Sequence, residues 1–215
     1  MPAPSSKLWL PNPPDGTQVA GGFDGSENDD HTAIKLETRA GLLFTPRYGP
    51  DRRPTIWKPE EWGGQIPRDE VNEAWAEINR RYGLSRVYCD PGFHDEVSWE
   101  TEIEEWANEY GEDVFIPWPT NQIGRMYPAL TRFVADLKNG RLKHDGCPIT
   151  TTHVGNARKL AKSADRYILG KPAPTQKIDS AVTSVIAHEA ASDARAEGWP
   201  DSTKAGVSTQ MYGFS

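Results

Sequence analysis

Three aspartates stand at places from which carboxylates can converge. Asp24 follows the short apolar segment 20–23, and Asp90 ends a second strand-like segment, 86–90. Asp179 stands where a late helix, 178–196, is predicted to begin. Because the ends of neighbouring strands lie close together at one edge of a sheet, and a helix start can face that edge, the three settings predict one carboxylate cluster.

Such a cluster indicates a particular chemistry. Mg²⁺ and Mn²⁺ prefer oxygen ligands, so carboxylates are suited to hold them. Three carboxylates brought together without a cation would repel one another. Two ions about 3.5–4 Å apart can activate a water molecule and neutralise charge on a phosphate and its leaving oxygen. The pattern therefore predicts phosphodiester hydrolysis.

Each aspartate also has a purely structural interpretation. Asp24 before Gly25 and Asp90 before Pro91 fit turn residues or helix caps. Asp179 fits a carboxylate that stabilises the positive end of a helix. Spacing alone leaves both interpretations open for every one of them, although the three settings together favour a site.

The elements that must position the aspartates form two groups. Segments 19–26, 32–38 and 42–44 predict an antiparallel meander. The Pro-rich segment 46–67 is predicted as a loop anchored by Trp57 and Trp62. Helices are predicted at 67–82, 97–110, 123–139, 151–160 and 178–196, with strands at 86–90, 113–117 and 166–169. The order predicts an α/β fold with a mixed β-sheet, an antiparallel meander plus parallel strands, flanked by helices.

Length and composition set limits on this interpretation. The 215 residues suit one α/β domain, with 1–17 as a linker or N-terminal extension, 18–198 as the domain and 199–215 as a flexible tail. A hydrophobic content of 36% and a mean hydropathy of −0.69 describe a polar chain in which no membrane span is predicted. The N-terminus lacks signal-peptide features, and Cys89 and Cys147 form no metal-binding or disulfide pattern, which favours a reducing intracellular setting.

The charge is unevenly distributed along the chain. The net charge is −7, yet residues 120–180 carry 11 Lys and Arg against four Asp and Glu. A basic segment in an acidic protein is compatible with nucleic-acid binding, and equally with a scattered solvated surface. The chain contains neither GxxxxGK[ST] nor a GxGxxG after a strand, so no ATPase loop is predicted.

Several segments carry a resemblance to a known family. The matching segments, in the family's order, are 22–26 with 30–34, 87–91, 137–148, 153–157 and 177–182. From about residue 20 to 195, the chain resembles the C-terminal nuclease domain of the large terminase subunit of tailed double-stranded DNA bacteriophages. The stretches 140–157 and 177–182 are the most specific part of the match.

The resemblance implies a fold, a reaction and a set of ligands. The fold would be RNase H-like, and the reaction would be metal-dependent cutting of concatemeric viral DNA during packaging. The family's acidic residues correspond to Asp24, Asp90 and Asp179, which would be catalytic and would bind Mg²⁺ or Mn²⁺, with two ions expected. Asp30 is a weaker fourth metal-ligand candidate, across the first turn from Asp24.

The resemblance also implies partners. They would be double-stranded DNA and, in a full-length protein, an N-terminal ATPase domain, the small terminase subunit and the portal. The chain would be an excised domain that starts near the linker, is monomeric alone and does not hydrolyse ATP. Its location would be the host cell cytoplasm during viral assembly.

Basic residues of the 120–180 segment are candidates for touching DNA phosphates. Such contacts would make binding salt-dependent and nearly independent of sequence. Ordinary surface charge is the alternative for each of them. The candidates are Lys143, His144, Lys177, Arg125, Arg141 and Arg158, with Lys159 beside the last.

Two other functions stay open at this point. One is another RNase H-like nuclease, such as a Holliday-junction resolvase or a transposase core. The other is a non-catalytic module that grips DNA or docks on the portal, for which the acidic N-terminal half would suit a protein partner. Preference for branched DNA would indicate the first, and DNA binding without cleavage the second.

Overall fold

A computed structural model describes residues 8–26, 29–92 and 98–199. The helices are α1 (Arg68–Arg81), α2 (Glu100–Tyr110), α3 (Ile123–Lys138), α4 (Pro148–Asn156) and α5 (Asp179–Ala196). The strands are β1 (Gln18–Asp24), β2 (Thr32–Thr38), β3 (Leu42–Phe44), β4 (Arg47–Tyr48), β5 (Arg53–Pro54), β6 (Ile56–Trp57), β7 (Gly83–Asp90), β8 (Phe115–Pro117), β9 (Lys143–His144), β10 (Arg158–Ala161) and β11 (Tyr167–Gly170).

A mixed sheet with the strand order β8-β7-β1-β2-β3-β9 forms the centre of the domain, and β6 pairs with one end of β2. The meander β1-β2-β3 is antiparallel. β1 and β7, and likewise β7 and β8, run parallel. The predicted mixed sheet, with an antiparallel meander, parallel strands and flanking helices, is therefore confirmed.

Alternation along β1 sends side chains to two separate cores. Val19 and Phe23 pack with α1 and α2, where Trp75 and Trp106 are among the buried residues. Ala20 points to the opposite face and packs with α3 and α5. Successive residues of a strand face opposite sides of a sheet, so this seven-residue strand contributes to both layers.

Gly22 allows α5 to approach the centre of the sheet. A Cβ added at Gly22 would lie 2.7 Å from the backbone nitrogen of Ala187 and 2.8 Å from the backbone oxygen of Thr183. These are backbone atoms of α5, which a small rotation of a side chain cannot move away. A side chain at this position would therefore push the helix off β1.

Two segments differ from the sequence predictions. Segment 46–67 contains β4, β5, β6 and a 3₁₀ turn at Pro59–Glu61, although the predicted anchoring by the buried Trp57 and the packed Trp62 is confirmed. The helix predicted at 151–160 is wrong in its bounds, because α4 begins at Pro148 and ends at Asn156. Proline suits the first turn of a helix. The following residues form β10, which pairs with β11 as an antiparallel hairpin.

The described part of the N-terminal segment runs along the domain. Trp9 donates its indole N–H to Asp145 at 3.0 Å, and Asn12 donates to the backbone oxygen of Thr45 at 2.8 Å. The tail predicted from residue 199 lies outside the described residues except for Trp199, which is buried. Among the described residues, no helix is both long and apolar enough to cross a membrane.

Candidate active site

The pairing of two parallel strands brings the first two aspartates together. Asp24 ends β1 and Asp90 ends β7, and the register places these two residues directly opposite each other. In a parallel pair, opposite residues on neighbouring strands point to the same face. The two carboxyl groups therefore share one edge of the sheet.

The third aspartate of the cluster lies at the start of α5. Asp179 is the first residue of this helix, and its Oδ2 accepts the backbone N–H of His31 at 3.3 Å. Asp24, Asp90 and Asp179 all line one cleft of about 910 Å³, together with Asp30. The predicted convergence of Asp24, Asp90 and Asp179 is thus present in the structure, whereas their catalytic role and the metal-binding role of all four carboxylates stay predictions.

The carboxylates disturb one another's ionisation. Burial raises the pKa of Asp24 well above its ordinary value, and the charges of Asp90, Asp179 and Asp30 raise it further. Burial also raises the pKa of Asp179 to about 6, with a contribution from Asp30. Carboxyl groups are crowded here, and the two lysines that form ion pairs in the cleft, Lys171 and Lys177, pair with Asp30. That chemistry fits a divalent cation with oxygen ligands.

Asp30 differs from the other three carboxylates. Its burial would raise its pKa, but hydrogen bonds and charge from Lys171 and Lys177 outweigh burial and hold the pKa below its ordinary value. The ammonium groups of Lys171 and Lys177 lie 2.5 Å and 2.9 Å from Oδ1 of Asp30. Asp30 is therefore already neutralised by lysines, which explains why it is the weaker candidate ligand.

Thr120 and Lys171 lie at the site, although no sequence pattern indicated them. The hydroxyl of Thr120 donates to Oδ2 of Asp90, and the backbone N–H of Gly92 reaches Oδ1 at 3.3 Å. Burial raises the pKa of Asp90, and these two hydrogen bonds oppose the rise. A lone threonine in a loop after a strand forms no recognisable motif. The contact of Thr120 with Asp90 follows only from the pairing of β8 with β7.

Two buried histidines lie beside Asp179. His31, His153 and Asp179 each offer one potential metal-ligand atom, and these three atoms lie within 4.8 Å of one another. However, Nδ1 of His153 accepts the backbone N–H of Ser180 at 3.0 Å, which places the proton of a neutral ring on Nε2. Burial, followed by the charge of His31, lowers the pKa of His153 to about 4, so the ring is neutral at pH 7. In this arrangement His153 has no free lone pair for a cation and instead supports α5.

The basic candidates fall into two places. Arg158 and Lys159, on β10, line the cleft, and Lys177 reaches Asp30 at its margin. Lys143 and His144 are exposed on β9, the outer strand next to β3. Arg125 is exposed on α3, and Arg141 pairs with Asp136. The structure therefore brings three of the seven to the carboxylates, and DNA contact by any of them stays a prediction.

In sequence, the chain is similar to proteins of mycobacteriophages. No family model matches the chain. The gene 13 protein of Mycobacterium phage D29 is 28% identical over 190 residues, which cover 83% of this chain and 30% of that protein. The chain thus spans about 30% of the length of this curated relative.

Solved structures with the same fold are nuclease domains of phage large terminases. The large terminase nuclease of the thermophilic phage G20c has a TM-score of 0.60 at 13% identity, covering 85% of this chain and 92% of that one. The large terminase of bacteriophage HK97 has a TM-score of 0.58 at 18% identity, covering 84% of this chain and 40% of that one. The G20c nuclease has been crystallised with bound magnesium and with bound cobalt. The predicted RNase H-like fold is confirmed, and the structural neighbours are large terminase nuclease domains.

Proposed function

We propose that this chain is the nuclease domain of a phage large terminase and cuts double-stranded DNA by metal-dependent hydrolysis of phosphodiester bonds. The observation that carries the proposal is the in-register pair Asp24 and Asp90, with Asp179 beside them in one cleft. The D29 relative supports a phage origin, and the folds of the terminase nucleases support the nuclease role.

The carboxylates of Asp24, Asp90 and Asp179 would hold Mg²⁺ or Mn²⁺, and two ions are expected. The chemistry supplied by bound ions is activation of a water nucleophile and stabilisation of the leaving 3′ oxygen. Thr120 and the Gly92 amide fix the orientation of Asp90, and the His31 amide fixes that of Asp179. The protein's own contribution is this placement of charge before the substrate arrives.

Cations along the cleft would guide the DNA backbone to the carboxylates. Arg158, Lys159 and Lys171 line the same cleft as the three aspartates. Contacts of this kind neutralise phosphates and carry no sequence information. Lys171 and Lys177 are paired with Asp30 in this structure. A DNA phosphate would compete with Asp30 for the two lysines, and a metal cation would compete with the lysines for Asp30.

The wider setting forms part of the proposal. The substrate would be concatemeric viral DNA, cut in the host cytoplasm during genome packaging. The ATPase domain of a full-length terminase, the small subunit and the portal would be its partners, and the chain alone would be a monomer. ATP hydrolysis is not expected from this chain.

Plasmid cleavage tests the proposal. We expect Mg²⁺ or Mn²⁺ to support cutting and EDTA to stop it. Asp24→Asn, Asp90→Asn and Asp179→Asn should each lower the rate by roughly 100-fold, the size typical of losing one preorganised electrostatic group. Asp113→Asn is the matched control, because Asp113 is an exposed carboxylate that precedes β8, away from the cleft.

The outcomes separate the competing functions. A folded Asp24→Asn, Asp90→Asn or Asp179→Asn protein with full activity would remove that residue from the mechanism. DNA binding without cleavage under any divalent ion would contradict the nuclease and support a gripping or docking module. Faster cutting of four-way junctions than of linear duplex would indicate a resolvase-type enzyme instead.

A further inference from the structure

One face of α4 is bonded to the start of α5. Thr150, His153 and Asn156 are spaced three residues apart, so they lie on the same side of this helix. Asn156 donates its amide to the backbone oxygen of Lys177 at 2.9 Å, and His153 accepts the backbone N–H of Ser180 at 3.0 Å. The two bonds enclose Asp179, one on each side along the chain.

The start of α5 needs outside support. The first N–H groups of a helix have no partner within the helix, and a Ser, Thr, Asp or Asn at the N-cap usually supplies one. The N-cap of α5 is Ile178, whose side chain makes no capping hydrogen bond. His153 accepts the N–H of Ser180 in its place, so a ring from another helix performs the capping.

This supporting helix is itself tied to the sheet. Thr150 shares a hydrogen bond of 2.8 Å with the hydroxyl of Ser180 and also accepts a hydrogen bond from the ammonium of Lys35. Lys35 is almost fully buried on β2 and donates to Thr45 at 2.5 Å as well. A buried ammonium is costly unless hydrogen-bonded. Lys35, Thr150 and Ser180 therefore form a continuous connection from β2 to α5.

We propose that His153 is a positioning residue for the Asp179 carboxylate, acting through the backbone at the start of α5. The proposal rests on the proposed function of the carboxylate site. His153 fixes where the helix begins, and that position determines whether Asp179 faces Asp24 and Asp90. Partners of this indirect kind typically change metal affinity by about 10–100-fold when removed.

Three variants of α4 test the proposal. His153→Leu removes the acceptor, whereas His153→Asn returns an acceptor oxygen close to the position of Nδ1. Thr152→Ala is the matched control, because Thr152 is exposed on the same helix and bonds to the backbone oxygen of Pro148 within that helix. The measurements are amide hydrogen exchange of residues 178–182 without metal, Mn²⁺ affinity by calorimetry, and the Mn²⁺ concentration for half-maximal plasmid cleavage.

We expect His153→Leu to speed exchange of the Ser180 amide and to weaken Mn²⁺ affinity by about 10–100-fold. Cleavage should need correspondingly more Mn²⁺ and approach the wild-type rate at saturation. His153→Asn should restore both values, and Thr152→Ala should match wild type. If His153→Leu does not fold, Asn156→Ala replaces it and should shift exchange and affinity in the same direction by less.

Two results would overturn the proposal. Unchanged exchange and affinity in His153→Leu would show that the cap is dispensable. Lost Mn²⁺ binding with unchanged Ser180 exchange, not restored by asparagine, would make His153 a ligand instead of a positioning residue. A wild-type protein that binds Mn²⁺ but cuts nothing would contradict the proposed function alone, because exchange and calorimetry would still decide the role of His153.

Discussion

Asp179 is a carboxyl group held where ionisation is unfavourable. It is buried, and another carboxylate, Asp30, adds to the rise of its pKa to about 6, although two backbone N–H groups oppose the rise. A residue selected for stability alone would not be placed there. A buried carboxylate at this position lowers the stability of the metal-free protein but provides a ligand for a cation. Stability and function therefore favour different residues at this position.

The pH dependence of stability follows from this shift in pKa. The folded pKa of Asp179 is raised from 3.8 to about 6, so its contribution to the stability of the metal-free protein is present below about pH 4 and is lost as pH rises through about 6. Asp179→Asn cannot ionise. We expect the free energy of unfolding of Asp179→Asn, measured relative to that of wild type, to increase by about 1–3 kcal/mol from pH 4 to pH 7, since one pKa unit corresponds to about 1.4 kcal/mol.

Urea unfolding in EDTA at the two pH values measures this difference. Asp113→Asn, which replaces an exposed carboxylate, should follow wild type at both pH values. A stability difference between Asp179→Asn and wild type that is the same at pH 4 and pH 7 would contradict the raised pKa. Adding Mn²⁺ at pH 7 should stabilise the wild type more than the variant, because a ligand stabilises the form that binds it.

At the scale of elements, the contact between β1 and α5 determines the geometry of the site. Asp24 ends the strand and Asp179 begins the helix, so any change in their separation moves one carboxylate relative to the other. Gly22 lies two residues before Asp24, where the helix backbone leaves no space for a Cβ. The site therefore depends on a residue that carries no functional group.

We expect Gly22→Ala to destabilise the domain by about 1–3 kcal/mol, the usual cost of overpacking, and to lower cleavage more than the loss of stability explains. Gly124→Ala is the matched control, because no described atom would lie within 4 Å of a Cβ at Gly124 in α3. Chemical unfolding and plasmid cleavage at a temperature where both variants are folded measure the two effects. Equal behaviour of the two variants would show that α5 tolerates displacement.

The sequence was most informative where local signals and tertiary packing agree. The bounds of β2 and β3, and the start of α3, match their predictions, because turn residues flank the two strands and helical spacing marks the helix, although β2 is buried along its whole length. The convergence of Asp24 and Asp90 was predicted, but their direct pairing across β1 and β7 was not, since no local signal specifies which strands are neighbours. The predicted helix was extended to residue 160 in error, because Arg158–Ala161 is exposed on both faces and shows neither helical nor strand periodicity.

The same limit explains which functional residues the sequence did not reveal. Thr120 and Lys171 act only because folding brings them to Asp90 and Asp30, which are distant in the chain. His31 lies next to the candidate Asp30, but its contact with the Asp179 region depends on a helix far along the sequence. The aspartates could be predicted from their residue type and their positions at element ends. The residues that hydrogen-bond to them from distant parts of the chain could be identified only from the structure.

At the scale of the whole molecule, the proposed function requires a net negative protein to attract a polyanion. The net charge of −7 opposes DNA binding at long range, but screening limits such repulsion to about 8–10 Å in physiological salt. The cleft itself is lined by three cations, Arg158, Lys159 and Lys171. Local charge beside the carboxylates, not the total charge, should therefore control binding.

Salt dependence of DNA binding can distinguish the cleft from the outer basic residues. Each lost phosphate contact should reduce the slope of log affinity against log salt by about 0.9. We expect Arg158→Gln with Lys159→Gln to weaken binding and lower the slope by about 2. Arg125→Gln with Lys143→Gln is the matched pair, since it removes the same charge from exposed positions outside the cleft lining.

Fluorescence anisotropy with a short duplex, in Ca²⁺ or with Asp24→Asn to prevent cutting, supplies the measurement at several salt concentrations. The matched pair should leave the slope close to that of the parent protein, because distant surface charges contribute little once they are screened. A larger loss from the Arg125 and Lys143 pair would place the DNA along α3 and β9 instead. In that case the duplex would have to cross from the outer strand of the sheet to reach the carboxylates, and the hairpin β10–β11 would not be its contact surface.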